Sequence, residues 1–383
     1  MVFNITRTSP VLFGVGSSMQ TGVKLRALGC KKIICVTDKG VKESGVTDNI
    51  VKNMEEAGIK VIQYDGVVPD PPDYMMEECA AIAKNEQVDG VVGIGGGSSL
   101  DTAKGVNVLL GNPFPIARYH DHHLSLKPGK VLILIPTTAG TGSEVTAVSV
   151  VTDTKNNKKG AVIGPPCTAT LAIVDPELTV GMPASVTAST GMDAFSHAAE
   201  ALTSNSANAM SDILSEKAIA LIFQNLKAAV RNGSDISART NMSMAAMIAG
   251  IAFNDAIPHL GHAIGHALGA KLHIAHGIAC ALALPDAIEY VAEILPDKVK
   301  FIGTTMGLNL DGMPSQEFGK EVAKAIRYFA RDVGIPTMKE LKIKKESLDA
   351  VAQDTLKDDC AHFIPREITS EKVLEMLYNA YEL

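Results

Sequence analysis

Through the N-terminal half of the chain, short apolar runs rich in β-branched residues alternate with stretches whose apolar positions recur every three or four residues. The runs are KIICVT (32–37), KVIQY (60–64), GVVGIG (90–95), VLILIP (131–136) and TLAIVD (170–175). Helical spacing marks 44–57, DYMMEECAAIAKNE (73–86) and LDTAKGVNVLL (100–110). Apolar strands separated by helices predict a parallel sheet covered on both faces, hence an α/β nucleotide-binding (Rossmann-like) domain. VTAVSVVTDTKNNKKGAVIG (145–164) predicts a hairpin with a polar tip. After PELTVGMP (176–183) the strand-like runs nearly vanish. SDILSEKAIALIFQNLKAAV (211–230) and MSMAAMIAGIAF (242–253) carry helical spacing instead. The change of texture sets the expected domains at 1–181 and 182–383, the second all-α.

Composition narrows the function classes. The 383 residues suit two domains, and 46% hydrophobic content supplies their cores. The net charge is −7, from 35 basic and 42 acidic residues, with no basic block. Nucleic acid is therefore not an expected partner. MVFNITRTSPVLFGVG lacks a basic region followed by an apolar core, so no signal peptide is expected. No apolar run reaches the ~18–20 residues of a membrane span. Six cysteines (Cys30, Cys35, Cys79, Cys167, Cys280, Cys360) are scattered without a C-x-x-C pair. They read as free buried thiols of a cytoplasmic protein.

In VVGIGGGSSLDTAKG (91–105) a strand runs into glycines and then a helix. Gly95, Gly96 and Gly97 let backbone N–H groups approach a phosphate. Ser98 and Ser99 are placed to cap the helix, whose N-terminus favours an anion. The pattern is neither G-x-G-x-x-G nor a Walker loop, so alone it fits a phosphate cradle or a tight turn. Asp38 ends an earlier strand of the same sheet. A carboxylate there suits a ribose diol and repels a 2′-phosphate, although a strand-end Asp also caps a following element. IPTTAGTGSEVT (135–146) places Thr137, Thr138 and Thr141 at the same ligand-binding edge of the sheet.

The second half holds the metal-type residues. GMDAFSHAAEAL (191–202) sets Asp193 and His197 four apart on one helix face. HLGHAIGHALGAKLHIAHG (259–277) carries five of the ten histidines. Within it His262 and His266 are four apart, and His276 lies ten further on. One Asp with several His is a plausible divalent-metal set, and no cysteine ligand is expected nearby. RYHDHHL (118–124) holds His120, Asp121, His122 and His123, but it precedes the strand VLILIP. It is expected to be a solvated loop at the edge of the sheet opposite the ligand edge.

Taken together, these segments resemble the iron-containing (group III) alcohol dehydrogenase family over nearly the whole chain. GGGSSLDTAK, PTTAGTGSEVT, AIVDPEL, GMDAFSHAAEA and HAIGHALGAKLHIAHG occur in the family's order and at suitable distances. The resemblance implies a dehydroquinate-synthase-like fold. It implies metal ligands at Asp193, His197, His262 and His276, and a non-ligand role for His266 near substrate and nicotinamide. It points to Asp38, Gly96, Gly97, Ser98, Thr137, Thr138, Thr141 and Lys159 as cofactor neighbours, and to Phe253 as an active-site residue. Two positions depart from the family's pattern: Asp70 stands where relatives commonly have Asn, and Ile364 where Asn often precedes Pro-Arg.

The implied reaction is reversible hydride transfer between a small alcohol or diol and NAD, with His266 relaying the proton. Fe(II) is the family's eponym, and the ligand types also suit zinc, manganese or cobalt. A homodimer or larger homo-oligomer is expected. Three rival readings stand beside it: a zinc-dependent polyol (glycerol-type) dehydrogenase, a lyase on the same fold, and a non-enzymatic metal-binding protein. The lyase would need a basic cluster for a phosphorylated acid. Residues 181–262 offer only Lys217, Lys227, Arg231 and Arg239, none beside the motifs.

Overall fold

The computed structural model describes residues 5, 6, 8–156 and 158–382. The chain forms two compact units, one spanning Arg7–Gly181 and the other Met182–Leu383 with Met1–Thr6. The Thr6 N–H donates to Asp255 Oδ2 of the second unit (3.0 Å).

The first unit runs β1 (Val11–Phe13), α1 (Thr21–Ala27), β2 (Lys32–Asp38), α2 (Lys39–Glu43), α3 (Val46–Glu56), β3 (Lys60–Val67) and α4 (Asp73–Asn85). It continues through β4 (Gly90–Gly95), α5 (Gly97–Gly111), β5 (Val131–Pro136), β6 (Val148–Asp153), β7 (Lys158–Ile163) and β8 (Leu171–Val174). Six strands form one sheet in the order β1-β8-β5-β4-β2-β3. Every pairing within it is parallel. The period-two alternation of the strands divides the core into two layers. Ile34, Val36, Val91, Leu132 and Leu134 face Met76 and Cys79 of α4 and Leu100 of α5. Ile33, Cys35, Val92, Ile94 and Ile133 face Leu25 of α1 and Ile50 and Met54 of α3. Strand order reverses between β2 and β4, so the loops after these two strands flank the crevice where open α/β sheets bind ligands. β6 and β7 form the separate antiparallel hairpin expected from 145–164. The edge strand β1 and the five-residue α2 were not anticipated, being too short to show a period.

The second unit is helical: α6 (Ala184–Thr203), α7 (Ala209–Arg231), α8 (Ile236–Phe253), α9 (Leu260–Leu272), α10 (His276–Val291), α11 (Pro296–Thr305), α12 (Ser315–Asp332), α13 (Leu348–Thr355) and α14 (Ser370–Glu382). Among the described residues no helix is long and apolar enough to cross a membrane. An aromatic chain ties three of the helices. Phe195 of α6 lies 5.8 Å from Phe329 of α12, which lies 5.2 Å from Phe223 of α7, ring centre to ring centre. Arg239 is buried and has a structural task. Its guanidinium donates to Thr187 Oγ1 (2.8 Å) and to the backbone oxygens of Gly233 and Met182.

Phe195 is fully buried, so Phe195→Ala leaves a cavity that the aromatic chain cannot close. The expected cost is about 3–5 kcal/mol of stability. A urea-unfolding midpoint unchanged from wild type would show that this contact contributes nothing.

Candidate metal centre and nucleotide loop

Four elements of the helical unit converge on one cluster. Helix α6 presents Asp193, His197 and Glu200 at positions i, i+4 and i+7, hence on one face. Helix α9 presents His262 and His266. A turn at 273–275 then reverses the chain, and α10 opens on His276. Asp193 is 2% exposed and His262 3%. Asp193 Oδ1 lies 3.4 Å from His276 Nε2 and 3.9 Å from His262 Nε2. The His197 ring stacks between Phe253 of α8 (4.3 Å) and His262 (4.4 Å), with its Nδ1 3.9 Å from Asp193 Oδ2. The structure thus gathers Asp193, His197, His262, His266, His276 and Phe253 in one place.

Glu200, which the sequence reading passed over, organises this cluster. It is fully buried. One carboxylate oxygen accepts from the backbone N–H groups of His259 (3.1 Å), Gly261 (2.7 Å) and His262 (3.2 Å). The other meets His262 Nδ1, which turns His262 Nε2 towards Asp193. Burial raises the Glu200 carboxyl, but His262, His259 and the backbone donors outweigh it and hold the group low. Burial opposes charge on His262, yet Cys280 and Glu200 beside it more than reverse this and hold the imidazole well above its usual value. Burial pushes Asp193 up to about 6, against the pull of His262 and His266.

Two buried atoms of the cluster, Asp193 Oδ1 and His262 Nε2, have no hydrogen-bond partner among the described residues. A buried polar atom left unsatisfied costs about 1–3 kcal/mol. A divalent ion removes that cost at both atoms, and carboxylate with imidazole is a suitable donor set. The residues therefore fit a metal.

Other histidines of the stretch are structural. His259 precedes α9 and is wholly buried, its Nε2 2.8 Å from Thr203 Oγ1. His273 is exposed and ends α9 in the left-handed region, with φ 54°. His266 differs from both. Its Nδ1 lies 2.9 Å from Asp358 Oδ2, and its ring stacks on His276 at 5.3 Å. Burial favours the neutral form of Asp358, but His266 and the Cys360 N–H hold its carboxyl low. One expectation is corrected. A cysteine does stand in the cluster, because Cys280 follows His276 by one helical turn and places Sγ 3.7 Å from His276 Nε2. The i, i+4 spacing of His276 and Cys280 carries that signal in the sequence, where a C-x-x-C criterion does not see it.

In the α/β unit, Asp38, Gly96, Gly97, Ser98, Thr137, Thr138 and Thr141 gather at the ends of β2, β4 and β5. Gly96 is the N-cap of α5, and no side chain caps this helix end. The expectation that Ser98 or Ser99 caps it is overturned. Both serines lie inside the first turn, and Ser99 Oγ instead donates to Asp38 Oδ2 (3.0 Å). The first-turn N–H groups are thereby left to an anion. A Cβ on Gly97 would lie 2.8 Å from Thr141, so only glycine allows this loop against its neighbour. Asp38 also caps α2 through the Val41 N–H (3.0 Å). Half-buried Asp101 and buried Lys104 of α5 pin the loop 137–146. Asp101 accepts from Ser143 Oγ (2.7 Å), and Lys104 donates to Thr146 Oγ1 (3.1 Å) and to the Val148 carbonyl (2.6 Å).

Lys159, on β7, forms an exposed ion pair with Asp70. Asp70 itself sits in the left-handed region at φ 53°, where Asn and Asp are the side chains best tolerated. The 118–124 loop is less solvated than expected. His120 is half-buried against Gly160, and His122 Nε2 lies 3.0 Å from the Ala161 carbonyl, so the hairpin anchors it.

Known proteins resemble the chain over most of its length. Residues 8–176 match the family model described as iron-containing alcohol dehydrogenase, and 187–381 match that of the Fe-containing alcohol dehydrogenase family, C-terminal. The chain is 35% identical to the NAD-dependent methanol dehydrogenase of Bacillus methanolicus, over 96% of this chain and 97% of that one. It is also 35% identical to the 1,3-propanediol dehydrogenase of Citrobacter freundii, over 96% of each. A crystal structure of 1,3-propanediol oxidoreductase superposes with a TM-score of 0.95 at 34% identity, covering all of both chains. These matches do not favour the zinc polyol reading. The chain belongs to the iron-containing alcohol dehydrogenase family.

Proposed function

We propose that this protein interconverts a small primary alcohol or diol and its aldehyde, with NAD as hydride carrier and a divalent metal, Fe(II) foremost, held by Asp193, His197, His262 and His276. The observation that carries the reading is the pair of buried, unbonded atoms Asp193 Oδ1 and His262 Nε2, facing each other beside His276. A bound ion supplies Lewis acidity, which makes an alcohol easier to deprotonate and an aldehyde easier to reduce. NAD, when bound, would supply hydride-transfer chemistry.

The protein's own groups bind, orient and move protons. Backbone N–H groups at the start of α5 receive the cofactor's phosphates, and Asp38 receives the adenosine ribose. Thr137, Thr138, Thr141 and Lys159 line the same edge. Phe253 holds the His197 ring flat and supplies apolar surface that suits a short carbon chain. Asp358 fixes His266 through Nδ1 and leaves Nε2 to take the alcohol proton in one direction and return it in the other. A cytoplasmic setting accords with the free thiols.

A chelator should strip the ion and abolish turnover, and Fe(II) should restore it. Because burial raises Asp193 to about 6, the protonated, non-coordinating form dominates below that value. Affinity for the ion should therefore weaken as pH falls below about 6, where protons compete with the metal for this carboxylate, and full activity of a protein shown by elemental analysis to be metal-free would sink the proposal. Asp38→Gly should raise NADP use relative to NAD about tenfold, the effect of roughly 1.4 kcal/mol of charge repulsion. Equal use of both cofactors by the wild type would show that Asp38 does not face the ribose. His266→Ala should keep its metal while slowing turnover by about 10²-fold or more, and Asp358→Asn should show a smaller loss of the same kind. Metal content measured beside rate decides this; a metal-free His266→Ala protein would place His266 among the ligands instead.

A further inference from the structure

We infer that Cys280 is a ligand for thiophilic divalent ions, zinc and cobalt(II) above all, in the cluster of Asp193, His262 and His276. The inference rests on the metal reading proposed above. Cys280 is fully buried in α10, one turn after His276 and on the same face. Ligand atoms of Asp193, His262, His276 and Cys280 all lie within 4.8 Å of one another. Two of these residues, Asp193 and His262, also carry the buried atoms without partners, Oδ1 and Nε2. Across the helix contact, Gly265 of α9 makes room for the sulfur: a Cβ there would lie 2.7 Å from Sγ.

Sulfur changes what the site prefers. Carboxylate and imidazole accept most first-row divalent ions, whereas thiolate selects softer ones. The set with Cys280, whose ligand atoms lie within 4.8 Å of one another, overlaps the set proposed above without being the same. Asp193, His197, His262 and His276 suit iron(II) or manganese(II). Asp193, His262, His276 and Cys280 suit zinc or cobalt(II). On binding, the S–H bond breaks, its proton leaves to solvent, and the sulfur electron pair forms the bond to the ion. No oxidant or reductant is involved. The alternative thiol is Cys360, which lies with His266 and Asp358 in a second, more exposed group of possible ligands.

The test is cobalt(II) titration of the metal-stripped, full-length protein without oxygen, read by near-ultraviolet absorption. A thiolate bound to cobalt(II) gives an intense charge-transfer band that nitrogen and oxygen ligands do not. The wild type should develop this band, Cys360→Ala should keep it, and Cys280→Ala should bind cobalt without it. Cys280→Ala should also lose about tenfold or more in zinc affinity against a competing chelator, while its manganese(II) affinity stays unchanged. Cobalt bound to the wild type without the band, or a band that survives Cys280→Ala or disappears in Cys360→Ala, overturns the inference. Should Cys280→Ala fail to fold, the wild-type and Cys360→Ala spectra still decide. A wild type that takes up no cobalt, zinc or iron at all overturns the metal reading together with this inference.

Discussion

Glu200 accepts four donors inside the helical unit, and the geometry of the metal cluster follows from that one carboxylate. A buried charge costs several kcal/mol in desolvation. It persists here because three backbone N–H groups at the start of α9 and the His262 ring all point at it. Those N–H groups are the ones a helix start leaves unbonded, and they carry the positive end of the helix dipole. Removing the carboxylate would leave all of them unsatisfied in a dry interior. Glu200 therefore fixes where α9 begins, how the His262 ring is turned and which of its nitrogens faces Asp193. Since Asp193 and Glu200 share a face of α6, one helix supplies both a donor to the proposed ion and the brace behind another.

The glycine loop 95–99 is built on the opposite principle. It leaves backbone N–H groups uncapped at the start of α5 and assigns side chains to hold the loop rather than the ligand. Lys104 has no exposure and Asp101 is largely covered, so their bonds to Ser143, Thr146 and Val148 form in a medium that screens weakly. The Lys159–Asp70 pair is at the surface and contributes about 0–1 kcal/mol. The buried Lys104 contacts, by contrast, keep the loop 137–146 in place.

The legible part of this protein was what repeats or what is spaced by a turn. The β-branched runs gave the sheet, and the Asp193/His197 and His262/His266 pairs gave faces of helices. Glu200 and Asp358 were illegible for a shared reason. Each acts through a partner 62 or 92 residues away, and nothing local distinguishes a bracing carboxylate from a solvated one. Cys280 was legible and overlooked: its spacing from His276 is the same i, i+4 interval that was read for the other pairs. The serines of the glycine loop failed for a different reason. Capping was assigned by residue type, but the helix begins one residue before Ser98, which puts both serines past the capping position.

The crowding of histidines in 259–277 follows from a geometric requirement. His276 is fourteen residues after His262. Had α9 continued unbroken, the two would stand about 21 Å apart along the axis at 1.5 Å per residue. Their rings are 5.6 Å apart, so the chain must stop, reverse and restart within that interval. His273 makes the stop. It adopts the left-handed conformation at the C-cap, at a cost of roughly 1–2 kcal/mol for a residue with a Cβ. His259 makes the start, wedged between Thr203 and Glu200 at the other end of α9. The five imidazoles thus divide along the helix. His259 and His273 set the ends of α9, and because those ends are fixed, His262 and His276 can meet over Asp193 while His266 stacks on His276.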